Sequence, residues 1–298
     1  MKAAAFDYLR AHSVDHALAL LQQHGLDAKL LAGGQSLVPM MAMRLARPAV
    51  LVDINRLPEL QQLQIGPTEV VMGATLRQCA VEADTELHAA LPLVRDALRW
   101  VGHVQTRNRG TVGGSLAHAD PSAELPLAAL MLGARLRLRS AEGGLREVAA
   151  ADFFIGAMYT AIADTECLVE IVWPRWAGPG VAAAFDETAM RHGDFAMAAA
   201  ACQLQLDADG RCTRAALGLG GMDGVPLAYP ELAAQLVGQR IDAAVAREVA
   251  QAAAAQTQPG SDLHADADYR RELAAVLLAR VLQQAAAQAR HAETAETP

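Results

Sequence analysis

The sequence predicts a chain of mixed α and β structure in more than one domain, and three observations predict it. An apolar run ending in paired glycines leads into a helix start near residue 33, and a stretch near residue 113 repeats the device. Past a segment rich in proline and glycine at 174–180, the pattern changes to a hairpin followed by alanine-rich helices. With 298 residues, 53% of them hydrophobic, the chain has material for one sizeable core or two smaller ones.

In chain order, Ser13 or Asp15 is placed to cap a helix that runs to about His24, with Ala17, Leu18, Leu20 and Leu21 on its apolar side and Gly25 closing it. Residues 29–32 read as a strand, and Ser36 stands at the cap of a short helix with Pro39 in its first turn. Met40, Met41, Met43 and Leu45 there are expected to fill core. Residues 49–54 are a strand, so 1–55 is expected to form a β-α-β unit with Gly33-Gly34 at its first turn. A second unit begins at Leu57, with strands at 63–65 and 70–74 and helices near 76–83 and 91–101. Leu91, Val94, Leu98 and Val101 recur at helical spacing, which anchors the approach to the second glycine stretch on a core. Residues 123–131 read as a helix and 134–140 as a half-exposed strand, with Arg135, Arg137 and Arg139 on a solvated face. A strand at 167–173 ends at Pro174. After the linker come an alanine-rich strand to Leu206, a turn at 207–210, a returning strand at 214–219, helices from Pro230 to about Arg290 and a frayed polar tail at 291–298.

Chemistry concentrates at the glycines. Gly33 and Gly34 lack a Cβ, so the backbone of Leu30-Leu31-Ala32-Gly33-Gly34-Gln35-Ser36 is free to take positive φ and to let a bulky anion approach its N–H groups. The helix start behind adds its positive dipole end, so a diphosphate is the expected guest, held without a lysine. Alone, such a pair is more often an ordinary strand-to-helix turn. The stretch Arg107-Asn108-Arg109-Gly110-Thr111-Val112-Gly113-Gly114-Ser115-Leu116 lies about 80 residues on, and two such loops suggest one diphosphate gripped from both sides. Neither has the glycine spacing of the Rossmann turn nor the Gly-Lys-Ser/Thr ending of the Walker loop.

The net charge of −8 offers no basic field to nucleic acid or an anionic membrane. Cys79, Cys167, Cys202 and Cys212 form no Cys-x-x-Cys pair, so no zinc site, iron–sulfur cluster or redox dithiol is expected and the chain is read as holding no metal. Charged residues interrupt the N-terminus and no apolar run is long enough to span a bilayer, so a cytoplasmic protein is expected.

Four ordered segments together carry a resemblance. They are Ala32-Gly33-Gly34-Gln35-Ser36-Leu37; 107–115; Ala117-His118-Ala119-Asp120-Pro121 with Glu124-Leu125-Pro126; and Arg191-x-Gly193-Asp194-Phe195-Ala196. In this order the chain resembles the FAD-binding medium subunits of molybdenum hydroxylases, the carbon monoxide dehydrogenase medium-subunit type above all, over nearly its whole length. The resemblance implies an α+β fold: an FAD-binding domain of the vanillyl-alcohol-oxidase type at 1–176, in subdomains of about 1–56 and 57–176, then a smaller sheet-and-helix domain at 180–290. It implies that Ala32, Gly33, Gly34, Gln35 and Ser36, with Thr111, Val112, Gly113, Gly114 and Ser115, hold the diphosphate of FAD. Val101, Asp120, Glu124 and Leu168 then lie near the flavin and ribityl chain, and Phe195 neighbours the isoalloxazine. Glu124 is equally explained as a helix N-terminal acid, and His118 as a flavin contact or a loop hydrogen bond.

The resemblance further implies an electron-transfer part of a larger enzyme. A small subunit with two-iron two-sulfur clusters would feed FAD, a large subunit with molybdopterin would oxidise the substrate, and the assembly would be a dimer of heterotrimers. No catalytic acid, base or nucleophile is then required of this chain. One departure stands out: xanthine-oxidising relatives place a lysine near the flavin shortly before the Gly-Asp-aromatic motif, and Glu187 stands at about that position here, with Met190 where a second basic residue is common. Loss of that cation disfavours xanthine as the substrate. The rivals are a free-standing FAD-dependent oxidase or reductase of the same fold, which would need a catalytic acid or base over the flavin, and a cofactor-free scaffold, against which the intact glycine loops speak.

Overall fold

The computed structural model describes residues 2–295, with the backbone alone over 291–295. The chain starts with β1 (Asp7–Arg10), α1 (Val14–His24), β2 (Ala28–Leu31), α2 (Leu37–Ala42) and β3 (Val50–Asp53). The three strands form a parallel sheet in the order β1-β3-β2. Ser13 caps α1 by accepting the His16 N–H at 3.0 Å, and Gly25 closes the helix at φ 54°. Ala17, Leu18 and Leu21 pack it onto Val50 and Val52.

The short, largely exposed β1 carries no apolar pattern, so from sequence it was invisible. Gly33-Gly34 therefore ends the second strand of this unit and not the first. Of the residues expected to fill core, Met41 is buried, whereas Met43 and Leu45 are exposed by 49% and 71% because the chain turns outward after α2. Ser36 occupies the N-cap position of α2, yet its hydroxyl caps nothing.

The second unit runs through β4 (Leu63–Ile65), β5 (Glu69–Gly73), α3 (Gln78–Ala83), α4 (Thr85–Ala90), α5 (Pro92–Leu98), α6 (Val104–Arg109), α7 (Val112–His118), α8 (Glu124–Leu132), β6 (Arg135–Ser140), β7 (Gly144–Ala149), α9 (Ala150–Phe153), β8 (Phe154–Gly156), β9 (Tyr159–Thr160) and β10 (Glu166–Pro174). An antiparallel sheet, β4-β5-β10-β6-β7, backs the helices. Leu91, Val94, Leu98 and Val101 all join its core, but α5 stops at Leu98 and the polar α6 intervenes before the second glycine stretch. Arg135 and Arg137 are partly solvated as expected, and both hold acids on neighbouring strands, Arg135 to Glu147 at 2.7 Å and Arg137 to Glu170 at 2.9 Å.

The remainder comprises β11 (Val181–Thr188), β12 (Ala198–Leu206), β13 (Cys212–Gly220), β14 (Leu227–Ala228), α10 (Pro230–Leu236), α11 (Ala243–Ala254) and α12 (Ala267–Ala295). Its four-stranded antiparallel sheet is buried on both faces. Along β11, Ala182 and Ala184 face the C-terminal helices, while Ala183 and Phe185 face the core of the preceding unit. Small residues at Ala198, Ala199, Ala200 and Ala201 let helices approach from either side. The tail expected to fray from residue 291 is helical to Ala295, and residues 296–298 lie outside the described residues. No described helix is long and apolar enough to cross a membrane.

Candidate cofactor cleft

The β2–α2 turn, the start of α7, the loop into α8, the β8–β9 hairpin and the loop before β12 surround one cleft of about 1,230 Å³. That exceeds the roughly 300–1,000 Å³ of ordinary small-ligand pockets and suits a dinucleotide.

The first turn supplies the anion-binding face. Gly34 is at φ 72°, where a side chain would be strained. Gly33 is not; its reason is contact, since a Cβ there would come within 2.9 Å of the Gly110 Cα and closer still to the Arg109 carbonyl. No hydrogen bond among the described residues engages the N–H groups of Gly33, Gly34, Gln35 or Ser36, which leaves four donors together at the mouth of α2. A polar tie holds this turn to the second stretch. Asn55 donates to the carbonyls of Leu31 and Ala32, Arg77 donates to Asn55 Oδ1 at 2.7 Å, and the same guanidinium donates to the Arg109 carbonyl.

The second stretch is built differently from its sequence echo. It is the first turn of α7: Thr111 Oγ1 accepts the Gly114 N–H at 3.0 Å, and the Val112 and Gly113 N–H groups donate to Leu76 and Ala74 carbonyls. The amides of 112–114 are therefore occupied, and the stretch meets the cleft through Thr111, Gly113, Gly114 and Ser115. A Cβ on Gly113 would sit 2.6 Å from that of Ala74, so this glycine serves close packing on β5. Neither Gly113 nor Gly114 is at positive φ.

Of the residues singled out from sequence, Ala32, Gly33, Gly34, Gln35, Ser36, Val101, Thr111, Gly113, Gly114, Ser115, Asp120, Glu124, Leu168 and Phe195 all line the cleft. Val112 does not: it is fully buried in the core behind, because the helical turn directs it inward. His118 also lines the cleft. Asp120 Oδ1 accepts the Ser122 N–H at 2.9 Å and shapes the loop into α8. At the first turn of α8, burial, and next the Asp120 charge, push the Glu124 carboxyl up to about 7. Phe195 is 72% exposed at the rim, beside exposed Met190.

Several cleft residues had no sequence signal. Arg270 comes from α12, and Asp262 and His264 from the loop before it. Arg270 donates to the Met197 carbonyl and to Asp262, each at 2.7 Å, tying the Phe195 segment to the C-terminal helices. Lys29 and Tyr159 join from β2 and β9. Only an aligned set of relatives would flag such isolated positions. Free amides at a glycine turn, a packed glycine stretch opposite, carboxylates placed for hydroxyls and an aromatic at the rim fit FAD.

Comparison with known proteins agrees. The profile of the FAD binding domain in molybdopterin dehydrogenase matches residues 4–176, and that of the CO dehydrogenase flavoprotein C-terminal domain matches 183–285. The chain is 37% identical to the 6-hydroxypseudooxynicotine dehydrogenase complex subunit alpha of Paenarthrobacter nicotinovorans, covering 97% of each. It is 38% identical to the carbon monoxide dehydrogenase medium chain of Afipia carboxidovorans, covering 96% of this chain and 99% of the relative. A chain of the solved carbon monoxide dehydrogenase from Hydrogenophaga pseudoflava, 35% identical, superposes with a TM-score of 0.92 over 97% of this chain and 99% of its own. The match is end to end and takes in the loops that line the cleft: the chain belongs to the FAD-binding medium subunits of the molybdenum hydroxylases, a family of oxidoreductases.

Proposed function

We propose that this chain is the electron-transfer subunit of a cytoplasmic molybdenum hydroxylase complex, holding one FAD non-covalently in the cleft. FAD, when bound, supplies the redox chemistry, accepting electrons from iron–sulfur clusters of a small subunit and passing them to a final acceptor. The observation that carries this proposal is the group of four free N–H donors at residues 33–36, fixed against the second glycine stretch by Arg77. In this proposal residues 33–36 and Ser115 bind the diphosphate, and Asp120 and Glu124 accept hydrogen bonds from sugar and ribityl hydroxyls. Phe195 covers one side of the ring system, while Val101 and Leu168 shield it from water. Residues 1–176 hold the cofactor, and 180–290 close the cleft through Arg270 and the Phe195 segment.

The multi-subunit names of the relatives support partners for this chain, and we assign it an iron–sulfur subunit and a molybdopterin subunit in a dimer of heterotrimers. Co-expression with the neighbouring subunits should yield a complex that oxidises its substrate, while the chain alone should bind FAD and oxidise no aldehyde, N-heterocycle or carbon monoxide. Turnover by the lone chain would point to a free-standing oxidase, and colourless protein that ignores added FAD would remove the cofactor assignment.

A further inference from the structure

Glu187 lies near the end of β11, on the face shared with Ala183 and Phe185 that turns toward the FAD-binding half. It is 6% exposed, and its Oε2 has no hydrogen-bond partner among the described residues. A buried carboxylate ordinarily keeps a cation or several donors.

The charged groups around it offer neither. Its cross-strand neighbour on β12 is Ala199. Asp186 alternates to the opposite face and pairs with Arg280 of α12 at 2.7 Å. On α5, Arg95 binds Asp96 at 2.8 Å, and Arg99 just beyond the helix lies 3.9 Å from the same carboxylate. Arg270 of α12 is held by Asp262 and the Met197 carbonyl. Arg191, His192 and Asp194 on the following loop are exposed. From α8 comes Glu124, whose charge bears on Glu187 more than any other. The arrangement is two carboxyls with no ion pair among the described residues, Glu124 lining the cleft and Glu187 buried outside its lining.

Resting on the FAD-subunit function proposed above, we propose that Glu187 is a positioning residue, a neutral carboxylic acid at physiological pH that backs Glu124, and that retention of FAD in the cleft depends on its proton. With Glu187 neutral, the pair carries at most one negative charge, on Glu124, where it accepts hydroxyl hydrogen bonds. Loss of the Glu187 proton to solvent adds a second charge behind a cleft that must also receive the anionic diphosphate. Burial, and next Glu124 and Asp186, raise the Glu187 carboxyl to about 9, so the proton is retained through neutral pH.

Two measurements test this. In the cofactor-free wild-type chain, the infrared carbonyl stretch of a protonated carboxylic acid should include a component that outlasts the Glu124 titration at about 7 and fades as pH rises through about 9; that component should be missing from Glu187→Gln. The dissociation constant for FAD, read by flavin fluorescence, should rise in the wild type toward a limit of about tenfold per pH unit above that point, and stay flat in Glu187→Gln. A wild-type chain whose acid band is lost with Glu124 at about 7, with no component left to fade through about 9, overturns the proposal, whether or not the variant folds. So do superimposable pH profiles, which leave FAD binding itself intact. Absence of FAD binding by either protein at every pH overturns the cofactor assignment and the role of Glu187 with it.

Discussion

At residue scale the glycines divide by physical reason, and the variants should divide with them. Gly34 needs positive φ, and an added Cβ would also come within 3.1 Å of Val38 Cγ2. Gly34→Val should cost about 1–3 kcal/mol of stability and weaken FAD binding, both read by titrating flavin against unfolding midpoint. Gly114 is helical, and its Cβ would press within 2.6 Å of Thr111 Oγ1, the oxygen that caps it. Gly114→Val should disturb that cap, a loss of about 1 kcal/mol, and crowd the cleft; a folded variant with unchanged FAD affinity would remove the second stretch from the site.

The Glu187 proton also has a stability signature independent of cofactor. Its folded value of about 9 lies above the usual carboxyl range, so the folded wild type binds more protons than the unfolded chain between about 4.5 and 9 and loses stability as pH rises through that window. Glu187→Gln carries no such titration. It should gain on the wild type steadily from about pH 5 to about pH 9 in urea unfolding, with a level difference beyond. A pH-independent difference would contradict a buried neutral acid.

At the scale of elements, the cleft depends on how β2, α6 and α7 are held together. Arg77 is the tie, since one guanidinium reaches Asn55 beneath the first turn and the Arg109 carbonyl beside Gly33. Arg77→Met keeps the apolar stem and removes the donors. It should cost about 1–3 kcal/mol and weaken FAD binding more than stability alone explains, because the two turns lose their register. Unaltered FAD affinity in a folded Arg77→Met protein would show that backbone packing at Gly33 suffices.

Elements also show what local sequence conveys. Ser13 and Gly25 bound α1 by side-chain and backbone rules that act within a few residues, and both ends are legible. The echo between the two glycine stretches was legible as sequence and misleading as structure. The amides of 112–114 are occupied by Leu76, Ala74 and Thr111, and partners so far apart in the chain cannot be read from the motif.

At the scale of the molecule, α12 reaches back to the cleft. Arg270 is 8% exposed and joins Met197 to Asp262, so this one side chain ties α12 to the Phe195 segment at the cleft. Arg270→Met should break the ion pair with Asp262 and free the Met197 carbonyl, destabilise by about 1–3 kcal/mol and loosen the Phe195 segment, seen as faster exchange of flavin in solution. Equal exchange rates in variant and wild type would show that the segment is held without it.

The sequence by itself determined the α+β class, most of the longer elements, the ordered glycine segments and, through them, the family and its cofactor. These depend on periodicity, turn chemistry and motif order, which are properties of neighbouring residues. Tertiary structure alone decided that Val112 faces the core, that Met43 and Leu45 face outward, that Gly33 is required by the backbone of Arg109 and Gly110, and that Arg270 belongs to the cleft. It alone left Glu187 buried, its Oε2 without a hydrogen-bond partner among the described residues and under the charge of Glu124. The reason is physical: burial, close approach and charge compensation are set by groups distant in the chain, and their energies arise only once packing removes water and brings those groups together.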